Sequence, residues 1–212
     1  MAGYTLATLQ QAIQDYTDND ESVFVSNLNN FIEAAEERIL KEAPLEVFRK
    51  NAGANLTTGN KYMPKPSDWL FTYSLGYVDS NGDKQFLLNK DVNFVQEFWQ
   101  DPTDVGAPRY YADFDLQNYI IGPTPDDAYN LELHYFYRPP SLTSTTGTAQ
   151  TWLSKNAGPA MLYGSLVEAY TFMKGEPDMI GQYEQFFQRA LSRINAFAQA
   201  AEGLDFYRRS KD

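Results

Sequence analysis

His134 is the only histidine in the chain and the first residue to consider for acid–base chemistry. A catalytic histidine needs a nucleophile or a carboxylate beside it, and the sequence has no G-x-S-x-G elbow to supply a nucleophile. The segment around it alternates as a strand does, with Leu131, Leu133, Tyr135 and Tyr137 on one face and Glu132, His134, Phe136 and Arg138 on the other. We therefore predict a strand histidine on a partly polar face, without a catalytic role.

Acidic residues are the next candidates for chemistry. The stretch DSNGD (79–83) resembles part of a calcium loop, but it lacks the later bidentate glutamate and lies between two strand patterns, which favours a hairpin turn. The pairs Glu36–Glu37 and Asp126–Asp127 have diverging side chains and are interpreted as solvated charge. With no cysteine and no phosphate-binding or dinucleotide motif, the sequence predicts no metal, no cofactor and no enzyme. An enzyme that uses only carboxylates and tyrosines is left open, although no spacing supports it.

The charge balance limits the classes of partner. The chain has 17 Lys and Arg against 28 Asp and Glu, a formal net charge of −11, so we expect no dedicated DNA-binding domain. Aromatic residues make up 15%, which suits both a folded core and contacts with partners. No apolar stretch approaches the length of a membrane span and the first residues lack signal-peptide features, so we expect a soluble, non-secreted protein.

Helical periodicity marks both ends of the chain. It predicts helices over residues 5–16 and from about 22 to Pro44, the second with cap candidates Asp20 and Ser22. On the second helix, the face carrying Glu33, Glu36, Glu37 and Lys41 is predicted to be solvated. Two further helices are predicted after Gly158 and over residues 178–201, following a polar linker at 139–150.

The middle of the chain is predicted to form β structure. Residues 69–78 and 84–89 predict a hairpin around Asn81-Gly82, and a brief helix is predicted over residues 90–99. Strand patterns at 108–115, 118–122 and 129–138 predict a three-stranded antiparallel meander. The predicted fold class is therefore α+β: a helical bundle of two N-terminal and two C-terminal helices with an inserted antiparallel β-sheet or sandwich domain. The predicted parts are 1–46, 47–140, 141–203 and 204–212.

Two features suit binding rather than catalysis. The terminal RRSK follows Phe206 and Tyr207, and aromatics beside arginines suit docking into an acidic groove as well as plain solvation. In an alternative interpretation, Trp69, Trp99 and the tyrosine cluster of the β segment hold a glycan or a small ligand.

Three segments resemble a known family: PKPSDWL (64–70), APRYYADFDLQNYIIGPTPDDAYNLELHYFYRPPSL (107–142) and TTGTAQTWLSKNAGPAMLYGSLVEAYTFMKGEPDMIGQYEQFFQRAL (145–191). They are similar to the head-to-tail adaptor (connector) proteins of tailed bacteriophages and to tubular tail protein A of short-tailed phages. The resemblance implies a ring, commonly of twelve subunits, between the portal and the tail or nozzle proteins. It implies that DNA passes through the lumen without specific binding, and it brings no catalytic residue.

In that family the C-terminal segment extends from the bundle to contact the portal, which assigns this role by resemblance to Phe206, Tyr207, Arg208 and Arg209. The resemblance further implies a virion protein of the neck or tail, assembled in the host cytoplasm and without a membrane partner.

Overall fold

Residues 3–43, 46–79, 81–101 and 103–202 are described by the computed structural model. The chain divides into two units, a helical unit of Met1–Glu46 with Pro140–Asp212 and a β unit of Val47–Pro139. The helices are α1 (Leu6–Thr17), α2 (Ser22–Glu42), α3 (Val92–Phe98), α4 (Trp152–Asn156), α5 (Gly158–Phe172) and α6 (Pro177–Glu202). The strands are β1 (Arg49–Asn55), β2 (Tyr62–Pro64), β3 (Trp69–Val78), β4 (Lys84–Phe86), β5 (Leu88–Asn89), β6 (Val105–Gly106), β7 (Tyr110–Asp113), β8 (Asn118–Gly122), β9 (Thr124–Pro125) and β10 (Asn130–Tyr137). The α+β class is confirmed.

Local signals explain where the first two helices begin. Thr5 caps α1 and forms a capping box with Thr8. The cap predicted for α2 is wrong, because Ser22 is already the first helical residue and Glu21 precedes it without a side-chain cap. Instead, the Asn19 side chain accepts the hydrogen bond of the Glu21 backbone N–H.

The centre of the helical unit is α5, which is buried on most sides and contacts α1, α2, α4 and α6. Gly164 sets how closely its neighbours approach, since a Cβ placed there would lie 2.9 Å from the Ala35 Cβ and 3.0 Å from the ring of Phe187. Arg38 of α2 binds Glu184 of α6 through both carboxylate oxygens, at 2.8 and 3.0 Å. Small residues thus permit close packing, and an ion pair ties the two outer helices.

The surroundings of Glu36 show that two predictions are wrong, the solvated face on the second helix and the polar linker at 139–150. Glu36 is only 6% exposed rather than solvated, because a 3-10 helix at Leu142–Ser144 lies against α2. Its Oε1 accepts a hydrogen bond of 2.9 Å from the backbone N–H of Leu142, whose own side chain is fully buried. Burial raises the pKa of Glu36, partly offset by the hydrogen bonds from Ser141 and Leu142. The stretch predicted as a polar linker therefore contributes to the core.

The β unit is built from two four-stranded sheets. The first has the order β1-β10-β3-β4 and the second β2-β8-β7-β5. The predicted meander is wrong, because β7 and β8 pair in the second sheet whereas β10 lies between β1 and β3 in the first. Two short pairings, β5 with β7 and β6 with β9, are parallel.

One apolar cluster joins the two sheets face to face. It includes Leu75, Leu131 and Leu133 from the first sheet and Tyr119 and Ile121 from the second. The alternation predicted for residues 131–135 is confirmed, because its apolar face points into this core. On the other side of β8, Val95 of α3 packs on Ile120 and Ala112, with Val92 and Trp99 around them, as the predicted α3 face requires.

The predicted hairpin is confirmed, but its turn differs from a two-residue turn. The loop runs from Asp79 to Asp83 between the pairs of β3 and β4, and among its described residues Gly82 alone has a positive φ, 88°. Its backbone N–H donates to the Asp79 carbonyl. The chain then crosses from β4 to β5, with Leu87 buried between the two sheets.

Candidate assembly surfaces

The fold places Ser74 beside His134. The Ser74 Oγ and the His134 Nδ1 lie 3.0 Å apart across neighbouring strands, and both side chains are half-buried. Glu132, on the same face, binds Lys84 and also accepts a 3.2 Å hydrogen bond from Asn51. The contact with Lys84 lowers the pKa of Glu132. The nearby carboxylate is therefore engaged by other partners, and the pair forms part of the polar surface of a sheet.

The carboxylate of Asp79 accepts three hydrogen bonds from its own hairpin. Its Oδ1 accepts hydrogen bonds from the backbone N–H groups of Asn81 (2.9 Å) and Asp83 (3.0 Å), and its Oδ2 accepts one from Gln85 (3.0 Å). The bond from Gln85 contributes most to lowering the pKa of Asp79. Across the described ranges, no group of three or more His, Asp or Glu side chains is arranged to hold a metal ion.

The two tryptophans of the alternative interpretation do not form one platform. Trp69 packs edge-on against Tyr119 in the cluster between the sheets, with ring centroids 6.3 Å apart. Trp99 packs on Tyr110 at 5.5 Å and lies against Gly122 in the separate cluster under α3. A flat glycan would therefore meet at most one of them.

An aromatic patch on the outer face of the first sheet was missed from the sequence. Phe71 stacks on Phe136 with centroids 4.2 Å apart, and the Arg49 guanidinium lies 4.4 Å from the ring centre of Tyr73. The pairing of β10 with β3 shifts register at His134/Tyr135, which leaves Tyr73 as the extra residue of a bulge. Bulges depend on the partner strand, so the period-two pattern of β3 alone does not show this patch.

Lys65 is a second residue that the sequence reasoning missed. Its side chain is only 2% exposed, with Nζ 3.8 Å from the Trp69 ring centre and 4.8 Å from that of Tyr119. The Nζ also binds an Asp113 oxygen at 2.8 Å and the Asp115 carbonyl at 2.9 Å. The charge is thus buried among aromatic rings and fixes the turn between β7 and β8.

A cavity of about 840 Å³ opens at one end of the β unit. Aromatic and aliphatic side chains line much of it, including Tyr77, Phe86, Leu88, Pro108 and Tyr129. Three charged residues also line it, namely Asp79, Arg109 and Asp127. We call this space the rim cavity.

The predicted portal-contacting residues Phe206, Tyr207, Arg208 and Arg209 lie outside the described residues. Their role stays a prediction.

These observations define a class of protein. The described residues combine a helical unit and a β sandwich with exposed aromatic side chains. The polar side chains around His134 and Asp79 bind other residues of the same chain. Such features are typical of a component that binds other proteins. None of the described helices combines the length and apolarity needed to cross a membrane.

Comparison with known families gives the particular group. The model of the SU10 adaptor protein family matches residues 4–208, nearly the whole chain. The chain belongs to this family, which confirms the resemblance to phage adaptors and indicates a structural, non-enzymatic role in a virion. A comparison with curated proteins found no match.

Proposed function

We propose that the chain forms an adaptor ring that joins the portal to the tail and makes up part of the DNA channel. The observation that carries this proposal is the family match, which spans both the helical and the β unit. The proposal includes a location in the neck of the virion, assembly in the host cytoplasm, and tail or nozzle proteins as partners on the side away from the portal.

The surface of the β unit supports ring formation. Large apolar side chains are exposed at several places, including Phe71, Tyr73, Phe86, Leu88 and Leu116. Exposed apolar groups on a folded unit favour contacts with other chains. A ring needs a head-to-tail contact that closes after a fixed number of copies, and twelve is the number that the resemblance implies.

The acidic charge supports a channel that lets DNA slide. With a formal net charge of −11, the chain repels phosphates weakly instead of holding them. Acidic residues outnumber basic ones in both units, so either unit could supply an acidic lining, and the argument requires that these acidic residues face the lumen. No measurable binding of duplex DNA is expected at physiological salt.

The C-terminal residues are the proposed contact with the portal. The family match continues through Phe206, Tyr207 and Arg208, so this segment is part of the shared pattern. Its mixture of aromatic and basic side chains suits an acidic groove on a neighbouring protein.

A truncation after Leu204 tests this contact. The buried residues of α6, such as Phe187 and Leu191, precede the cut, so we expect an unchanged thermal unfolding temperature. We expect the truncated chain to be lost from pull-downs with the portal protein, while a full-length Lys211→Ala chain is retained. Retention of the truncated chain on the portal would refute the assignment of Phe206 to Arg209.

A further inference from the structure

The turn between β7 and β8 presents an unusually exposed leucine. Leu116, at its tip, is 89% exposed, the highest value among the large apolar residues described. Phe114 and Tyr62, also exposed, lie next to the turn with ring centroids 5.0 Å apart. We call Leu116, Phe114 and Tyr62 the apolar tip. Its exposure is not explained by the packing of its own chain.

The apolar tip is held in a fixed conformation. The Asp115 Oδ1 accepts hydrogen bonds of 2.6 Å from the backbone N–H groups of both Gln117 and Asn118. From the other side, Lys65 donates to the Asp115 carbonyl and binds Asp113. A turn that is ordered before binding loses little conformational entropy when it docks, which favours a role in recognition.

The rim cavity is large enough to receive the apolar tip. Its volume of about 840 Å³ lies in the range of roughly 300–1,000 Å³ that is typical of ligand clefts, which leaves room for inserted side chains. Three of its lining residues, Val78, Phe86 and Leu88, are exposed apolar side chains. Its one arginine and two aspartates do not favour an anionic ligand such as nucleic acid. The rest of the lining mixes polar side chains with rings and aliphatic groups, and the apolar members can contact an apolar insert.

The apolar tip and the rim cavity lie at opposite ends of the β unit. In the second sheet, Tyr110 begins β7 at the cavity, and Asp113 ends β7 where the turn with Leu116 starts. In the first sheet, Val78 ends β3 at the cavity. Trp69 begins β3 beside Lys65, at the end where the tip lies.

We propose that the apolar tip of one copy inserts into the rim cavity of the next copy. Two different surfaces at opposite ends of one unit give a head-to-tail contact, the type that generates a ring when the rotation closes. The inference rests on the proposed function, since it names the contact by which the adaptor ring is built. A second copy is the occupant that supplies the complementary group in the correct number, one tip for each cavity.

Engineered cysteines test the contact directly, because the chain has no cysteine of its own. The full-length chain would carry Leu116→Cys in the tip and Ala128→Cys in the cavity wall, and complexes recovered on the portal protein would be oxidised. We expect a ladder of cross-linked multimers on a non-reducing gel. The matched control pairs Leu116→Cys with Phe98→Cys, an exposed position on α3 outside the cavity, and should give no ladder.

A second variant measures the apolar contribution. Leu116→Asp alters a side chain that is almost fully exposed, so we expect unchanged unfolding of the isolated chain. We expect the amount of ring on the portal to fall on the order of tenfold or more, because the variant loses the apolar contacts of Leu116 and brings a third carboxylate to a cavity that already holds Asp79 and Asp127. Leu116→Met should retain the ring.

The outcomes separate this inference from the proposed function. If electron microscopy shows rings on the portal but the tip and cavity cysteines do not cross-link above the control, the inference is wrong and the adaptor role stands. The cavity would then hold another occupant, such as a tail protein or a small ligand. Cross-linking of Leu116→Cys alone into dimers would also overturn it, because that contact is symmetric. If no ring forms on the portal, the proposed function fails, and the inference with it.

Discussion

Glu36 gives the sharpest test of how the helical unit is held together. Its carboxylate is buried and accepts the backbone N–H of Leu142, so Glu36→Ala leaves a buried donor without its acceptor. An unsatisfied buried group of this kind destabilises a protein by about 1–3 kcal/mol. We expect urea denaturation at neutral pH to show that the free energy of unfolding falls by this amount. Glu33→Ala is the matched control, since Glu33 binds Thr143 of the same loop from an exposed position and should change the free energy of unfolding by less than about 0.5 kcal/mol.

Glu36→Gln separates the hydrogen bond from the charge. Glutamine keeps an oxygen for the Leu142 N–H and removes the buried charge, so this variant should be at least as stable as the natural chain at neutral pH. The folded-state pKa of Glu36 is raised above its unfolded value. Its contribution to stability is therefore fully present below the unfolded pKa, about 4.3, and is lost as the pH rises through the folded-state pKa.

The pH dependence follows from this sign. The stability advantage of Glu36→Gln over the natural chain should grow from about pH 4 to pH 8. Urea titrations of both chains across this range measure it. An advantage that does not change with pH, or a Gln variant as unstable as the Ala variant, would refute the assignment of a buried, desolvated carboxylate.

Two further predictions concern packing and the tip. Gly164→Ala should lower the free energy of unfolding by about 1–2 kcal/mol, because the added methyl group crowds Ala35 and Phe187. Gly181→Ala, which has open space around it in α6, should raise the free energy of unfolding by up to about 1 kcal/mol. Equal changes for the two variants in urea denaturation would contradict this. Lys65→Met should lower the free energy of unfolding by about 1–3 kcal/mol, because Asp113 and the turn lose a buried cation, while the exposed Lys90→Met should have little effect. A Lys65→Met chain as stable as Lys90→Met would show that the cation does not fix the turn.

Local periodicity predicted the elements well where burial follows a single face. The stripe of α6 that contains Phe187 and the alternation of Leu131 and Leu133 in β10 were both predicted from the sequence. In each case the residues that share a face are three or four apart in a helix, or two apart in a strand, so the sequence alone carries the signal.

Contacts between distant segments were not predictable in this way. The segment RKNAGAN of β1 has little strand character, yet it pairs with β10 along its whole length. Glu36 was assigned to a solvated face because nothing local shows that Leu142 returns to cover it. Two local features could have pointed to residues that the sequence prediction missed. Lys65 lies between two prolines, and Leu116 lies at the tip of a polar turn.

The pairing of β1 with β10 has a consequence for folding. Arg49 lies opposite Phe136, so the points where the chain enters and leaves the β unit are held within about 5 Å of each other across two neighbouring strands. Once the β unit has folded, α2 and the residues that follow Pro140 are joined as though by a short connection. The entropy cost of closing the long intervening stretch is then met when the β unit folds, and not when the helices pack together. An insertion or substitution in one unit therefore need not change the course of the chain in the other.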